Sequence, residues 1–141
     1  MLKFSVNDPS ASIIMPAEVL AVREQLFTAE SAKEWQDCLK QSLFVAGARD
    51  ASGTLIGVGF LAGNRRHGTI CDLSVHPSAR QMGVGGCLVD RLILEASNYK
   101  IRYLGLTFDD SKPWLQAFYE RHGFQTIGFG MWHHTSLAAP G

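Results

Sequence analysis

The amino-acid sequence predicts an α/β fold: one domain in which a mixed β-sheet is interleaved with helices. Three observations lead there. The chain has 141 residues, 46% hydrophobic and 18% charged, the composition of one globular domain rather than a disordered segment. Between residues 43 and 75, three apolar and β-branched runs are separated by turn clusters. From Gly83 the apolar period becomes helical, and another strand-like run follows. Two strands joined by a helical crossover pair in parallel, with a right-handed connection.

Each element has a local cause. Leu2, Phe4 and Val6 alternate on one face and read as a first strand, stopped by Asn7-Asp8-Pro9-Ser10. Pro16 suits the first turn of a helix running to about Thr28, with Val19, Leu20, Val22 and Leu26 as its apolar stripe. Ser31 can cap a second helix through about Leu39, and Glu34 stands three residues on, as in a capping box. Leu43 to Ala48, Thr54 to Ala62 and Thr69 to Val75 are expected to form an antiparallel meander. The third helix, Gly83 to about Asn98, gathers Val84, Leu88, Leu92, Ile93 and Ala96 on one face. Ile101 to Phe108 is a strand, Trp114 to about Arg121 a short helix with Gly123 as its C′ residue, and Phe124 to Thr135 strand material. The predicted order is β-α-α-β-β-β-α-β-α-β. In such a sheet a ligand binds where strand ends face a helix N-terminus.

Bulk properties narrow the function. Thirteen basic residues balance thirteen acidic ones, for a formal charge of +0, which gives no push toward nucleic acid or an anionic membrane surface. The three cysteines, Cys38, Cys71 and Cys87, are odd in number and show no metal-type spacing, so neither a disulfide framework nor a metal site is expected. The first residues lack a long apolar run and no stretch reaches the length of a membrane span. A soluble cytoplasmic protein is the expectation.

The densest chemical signal runs from Leu73 to Leu88. An apolar strand ends in His76-Pro77, Arg80 follows, and glycines at 83, 85 and 86 open the helix. Glycines permit positive φ and close approach of the backbone to a ligand. Successive N–H groups at a helix start form an anion site, to which Arg80 adds charge-assisted hydrogen bonds. A phosphate-bearing ligand is implied; the plain alternative is a turn that only links strand and helix. The spacing matches neither a P-loop nor a dinucleotide fingerprint.

Val75-His76-Pro77 followed by Arg80-x-x-Gly83-x-Gly85 resembles the acetyl-coenzyme A motif of the GNAT N-acetyltransferases, R/Q-x-x-G-x-G/A. Leu115 to Phe124, with Tyr119-Glu120-Arg121-His122-Gly123-Phe124, resembles that family's second signature. The two stand in the family's order, and the resemblance covers nearly the whole chain. It implies a GNAT-like domain over residues 1–141, with a mixed central sheet of about six to seven strands flanked by about four helices. It further implies transfer of an acetyl group from acetyl-CoA to a primary amine by direct attack on the thioester. Backbone groups of Leu73, Ser74 and Val75 would meet the pantetheine arm as an added strand. The loop of Arg80, Gln81, Met82, Gly83, Val84, Gly85 and Gly86 would hold the pyrophosphate. Tyr119 would act as general acid toward the departing thiolate; its alternative is a packed aromatic with a locally satisfied hydroxyl. Lys112 stands where many relatives carry asparagine, and either approaches a cofactor phosphate or is solvated.

The general base is open. Relatives often carry an acid at the position of Thr69, which cannot serve. Asp72 and Asp110 are the candidates, with Asp109 beside them; each can be a base, an amine-binding anion or a turn or cap residue. One of His133 and His134 can face the acceptor pocket. Cys87 reads as packing, Trp35, Trp114 and Trp132 as core or pocket wall, and Arg65-Arg66 as a solvated turn. A coenzyme A-binding sensor or regulatory module without transfer activity is the alternative function. The acceptor can be a small molecule or a peptide or protein amine, and the final strand allows a homodimer.

Overall fold

The computed structural model describes residues 3–11, 13–23, 30–108 and 111–128. The chain forms two compact units, Met1–Leu106 and Thr107–Gly141. The first holds a five-stranded sheet in the order β1 (Phe4–Val6), β2 (Phe44–Asp50), β3 (Leu55–Gly63), β4 (His67–Val75) and β5 (Tyr103–Gly105). The first three ladders are antiparallel, and β4 and β5 are parallel across the crossover helix, as the sequence predicts.

Helices α1 (Pro16–Arg23) and α2 (Ala32–Gln41) cover one face of the sheet. Val19 and Val22 of α1 and Trp35 of α2 pack with Leu55, Val58 and Phe60 of β3, and the Trp35 and Phe60 rings stack at 5.3 Å. Ser31 caps α2 by accepting from Glu34 N at 3.3 Å. On the other face lies α3 (Val84–Asn98), whose Val84, Leu88, Val89 and Leu92 are fully or almost fully buried. It seats on two glycines of β3. A Cβ at Gly57 would stand 2.8 Å from Val84 Cγ1, and one at Gly59 would stand 2.9 Å from Leu73 and 3.0 Å from Leu92. Glycine is needed there for room, since ordinary carbon contacts lie near 3.5–4 Å.

The expected six to seven strands become five among the described residues. The run expected from Phe124 forms no strand over residues 124–128, and residues 129–135 lie outside the described part. Its first residue is engaged in ending α4 (Pro113–Arg121), because Phe124 N donates to Tyr119 O at 3.2 Å. The strand expected over Ile101 to Phe108 shrinks to Tyr103–Gly105. Ile101 N closes the end of α3 by donating to Ala96 O, and β4 offers β5 partners only at His67, Gly68 and Thr69.

One buried cation ties the first helix to the sheet. Arg49 of β2 donates to Glu18 of α1, with Nη2 to Oε1 at 3.1 Å, and to Gly53 O at 2.9 Å. The hydrogen bond from Arg49 holds the Glu18 carboxyl below the usual glutamate range, against an opposing effect of burial. A depressed carboxylate stabilises the fold above its unfolded pKa, and that contribution is lost as pH falls through the folded value. Glu18→Gln should therefore lower stability at pH 7 by roughly 1 kcal/mol, a modest figure because Glu18 is partly solvated. In urea melts the gap to wild type should close below about pH 4. Gly59→Val is expected to lower stability by about 2–3 kcal/mol in the same melts, since neither Leu73 nor Leu92 can yield without opening the α3 contact.

Candidate active site

Strand β4 slips register against β3. Val58 pairs with Ser74 and Phe60 with Cys71, so Asp72 and Leu73 together oppose Gly59. This is a β-bulge, and Asp72 takes a left-handed φ of 52° within it. The extra residue lets Cys71 and Ser74, three apart, serve the same face. Cys71 packs against the Trp35–Phe60 cluster, and Ser74 reaches Arg23 of α1. Leu73 turns the other way, toward Gly59 and α3. Beyond Thr69, the β4 edge on the β5 side has no strand partner among the described residues. Such an edge can take an added extended chain through its backbone groups.

The strand runs straight into the glycine loop. The His76 ring accepts from Ser78 N at 3.1 Å and caps a single 3-10 turn over Pro77–Ala79. Arg80 is exposed, with Nε 3.4 Å from Val75 O, and Met82 is half-buried. Gln81 and Gly83 both adopt left-handed conformations, at φ of 67° and 83°. A Cβ at Gly83 would meet nothing within 4 Å, so glycine serves that turn through its φ alone. Gly83 is the N-cap of α3 and brings no side chain to cap it, and the first turn carries no acid. Cys87 N is bonded to Gly83 O at 3.1 Å, which leaves the N–H groups of Val84, Gly85 and Gly86 without an intrahelical acceptor. Gly57 both pairs with Val75 and seats Val84. The donors at the start of α3 are therefore set beside the end of the open β4 edge.

Sequence reasoning missed the charged cluster on the opposite face of β4. Arg23, 3% exposed, donates to Ser74 Oγ at 2.6 Å and forks onto Glu30, with Nη2 to Oε2 at 2.7 Å. Its Nη2 lies 3.7 Å from Asp72 Oδ1, and its guanidinium sits 4.8 Å from the centre of the Trp35 ring. The available signal was position: Arg23 follows Val19 by one helical turn and so falls on the apolar stripe. The Ser74 hydroxyl is committed to Arg23, leaving that residue only its backbone for a ligand. The Asp72 side chain is 47% exposed, and burial of the rest pushes its carboxyl above the usual aspartate range. The Arg23 charge opposes that rise and Glu30 adds to it.

In the second unit, Tyr119 is 8% exposed among Phe108, Phe118 and Phe124, with ring centres at 5.9, 5.0 and 6.0 Å. Among the described residues no hydrogen bond to its hydroxyl is seen. Burial pushes its pKa above the ordinary phenol value. Lys112 is exposed and takes the N-cap position of α4 without a side-chain bond. Gly123 has the positive φ, 94°, expected of a C′ residue.

Asp109, Asp110, Trp132, His133 and His134 lie outside the described residues. Cys87 is exposed rather than packed, because the first turn of α3 shows that side to solvent. Trp114 is 64% exposed rather than core, being the second residue of the amphipathic α4. Thr69 is held in both ladders, between Ala62 and Gly105. Arg65 and Arg66 form an exposed turn. A cavity of about 380 Å³, lined among others by Asn7, Ile14, Leu39 and Arg49, touches none of the expected site residues. No described helix is long and apolar enough to cross a membrane.

The fold is shared with solved acetyltransferases. A probable acetyltransferase from methicillin-resistant Staphylococcus aureus superposes with a TM-score of 0.75 at 21% identity, over 94% of this chain and 98% of that one. The ribosomal-protein-S18-alanine N-acetyltransferase of Escherichia coli gives 0.74 at 17% identity, over 91% and 80%. Glucosamine-6-phosphate N-acetyltransferase from Arabidopsis thaliana gives 0.72 at 12% identity, over 93% and 97%. No curated protein matches the chain in sequence. Residues 40–126 match the acetyltransferase (GNAT) domain, and the chain belongs to that family.

The buried phenol has a direct optical signature. In an alkaline titration followed at 295 nm, the difference between wild type and Tyr119→Phe should be one tyrosine ionising above about pH 10, the ordinary value. A difference curve centred at or below that value would contradict the burial.

Proposed function

We propose that the chain is an acetyl-CoA-dependent N-acetyltransferase acting on a primary amine, with residues 1–141 as one catalytic domain. The observation that carries this reading is the open β4 edge meeting an uncapped glycine helix start. A donor that bears amides along an extended arm and then a pyrophosphate fits both parts in sequence. Leu73, Ser74 and Val75 would pair with the arm through their backbone. The N–H groups of Val84, Gly85 and Gly86 would receive the pyrophosphate, on a turn shaped by Gln81, Met82 and Gly83, with Arg80 adding charge. Lys112 is assigned to a cofactor phosphate.

Acetyl-CoA supplies an activated thioester. The chain's own groups manage protons and charge. Asp72 takes the proton that the amine loses as its nitrogen bonds to the acyl carbon, and its raised pKa brings the carboxylate nearer to the strength a base needs. Asp110 is the alternative base. A backbone N–H near Val75 holds the oxyanion. As the C–S bond breaks, Tyr119 gives its hydroxyl proton to the sulfur and later regains one from solvent. The acceptor is a small-molecule amine or a peptide or protein amine. The three free thiols suit a reducing cytoplasm.

Thiol release from acetyl-CoA across a panel of amines, with calorimetric binding of acetyl-CoA alongside, tests the proposal. Turnover is expected with at least one primary amine. Tyr119→Phe should lower kcat by about 10- to 100-fold while leaving the acetyl-CoA Kd unchanged. Equal losses in both would make Tyr119 a wall of the pocket. Tight binding with no turnover on any amine would favour a coenzyme A-binding module, a reading that rests on Thr69 standing where relatives often carry an acid and Lys112 where many carry asparagine.

A further inference from the structure

We propose that Arg23 is a positioning residue that holds the β4 bulge, and with it the Asp72 carboxylate, from the end of α1. The inference rests on the acyltransferase reading, with Asp72 as the base, and deepens it.

Each nitrogen of the guanidinium is engaged, by Glu30 on one side and the bulge on the other. Its Nε donates to both Glu30 oxygens, at 3.0 and 3.2 Å, and Nη2 to Glu30 Oε2 at 2.7 Å. Nη1 donates to Ser74 Oγ at 2.6 Å. Ser74 Oγ donates in turn to the Asp72 carbonyl at 3.3 Å, and Nη2 faces Asp72 Oδ1 at 3.7 Å. Glu30 is itself fixed by Trp35 Nε1, which donates to Oε1 at 3.3 Å. Arg23 thus touches the two residues that flank Leu73, on the strand where the open edge begins.

Stability alone is a poor reason for such a group. Burying an ion pair costs desolvation that its attraction barely repays, and apolar replacements of similar volume are often neutral or stabilising. A fork of fixed geometry does something a methionine cannot. It sets the direction of a carbonyl and a carboxylate in a segment where Asp72 holds a left-handed backbone without glycine's freedom. The charge matters as well as the shape. Among the described residues, Arg23 from α1, Glu30 from the segment before α2, Cys38 from α2 and Cys71 from β4 are the titratable or charged groups that face Asp72. Arg23 is the only cation among them, so its removal raises the Asp72 pKa further.

The test uses the full chain as wild type, Arg23→Lys and the paired replacement Arg23→Met with Glu30→Met, which leaves no unpaired buried charge. With an amine that the panel identifies, the paired variant should keep the wild-type acetyl-CoA Kd and lose about tenfold or more in kcat at pH 7. The acid limb of its kcat/KM profile should still move to higher pH, because the downward effect of Arg23 on Asp72 exceeds the upward effect of Glu30 that is lost with it. Arg23→Lys should keep the limb in place with a smaller loss. A folded paired variant with wild-type kcat and an unmoved acid limb would overturn the proposal. Should the paired variant fail to fold, Ser74→Ala removes one acceptor of the fork while keeping its charge: kcat should fall with the acid limb in place, and an unchanged kcat would overturn the positioning role. If wild type turns over no amine, the acyltransferase reading fails on its own. Arg23 is then judged by carboxyl-detected NMR titration of Asp72, where an upward shift in the variant supports the positioning role and an unmoved titration rejects it.

Discussion

Helix α3 lies against β3 only because Gly57 and Gly59 leave no side chain between them. Much follows from that close approach. Val84, the first residue of the helix, seats over Gly57, and Gly57 is the ladder partner of Val75. The start of the helix and the end of β4 are therefore fixed side by side, with the short loop from His76 to Gly83 closing the gap. A larger residue at either glycine would lift the helix and separate its donors from the strand. The placement of those donors is thus a product of packing on the neighbouring strand, as well as of the glycines within the loop.

The two faces of the sheet divide the labour. The α3 face is apolar at its centre, with Leu88, Val89 and Leu92 sealed against the strands. The α1–α2 face combines apolar packing with Arg23, Ser74, Glu30 and the half-solvated Asp72. Between the faces, the edge of β4 past Thr69 offers only backbone. An apolar back, a polar front and an unpaired edge let one strand combine rigid packing, a charged cluster and open backbone groups, because its residues leave in three directions.

Local rules were readable wherever local forces decide. The Ser31–Glu34 cap, the meander of β2, β3 and β4, the parallel crossover, the glycine N-cap at 83 and the C′ glycine at 123 all follow from spacing and residue type. Strand lengths were overestimated at Ile101 and Phe124, because their N–H groups end helices instead of joining ladders. The bulge was not legible: nothing in Cys71-Asp72-Leu73-Ser74 marks an extra residue, and only pairing with β3 creates it. Arg23 was visible as a cation on an apolar stripe, yet its partners come from Glu30 and from a strand fifty-one residues later. Cys87 and Trp114 carry apolar side chains but sit near helix starts, where one flank meets solvent.

The bulge also changes what kind of alteration the strand can bear. Before Asp72, alternate side chains fall one way; after it, the parity is reversed. The strand behaves as two half-strands out of phase, joined by a single counting residue. Swapping one amino acid for another leaves the count intact. Pairing the same residues without the bulge would reverse every later side chain, sending Ser74 toward the helix and Val75 toward Arg23. In this stretch the pairing with β3 decides which face each residue serves, and its identity decides what it does there.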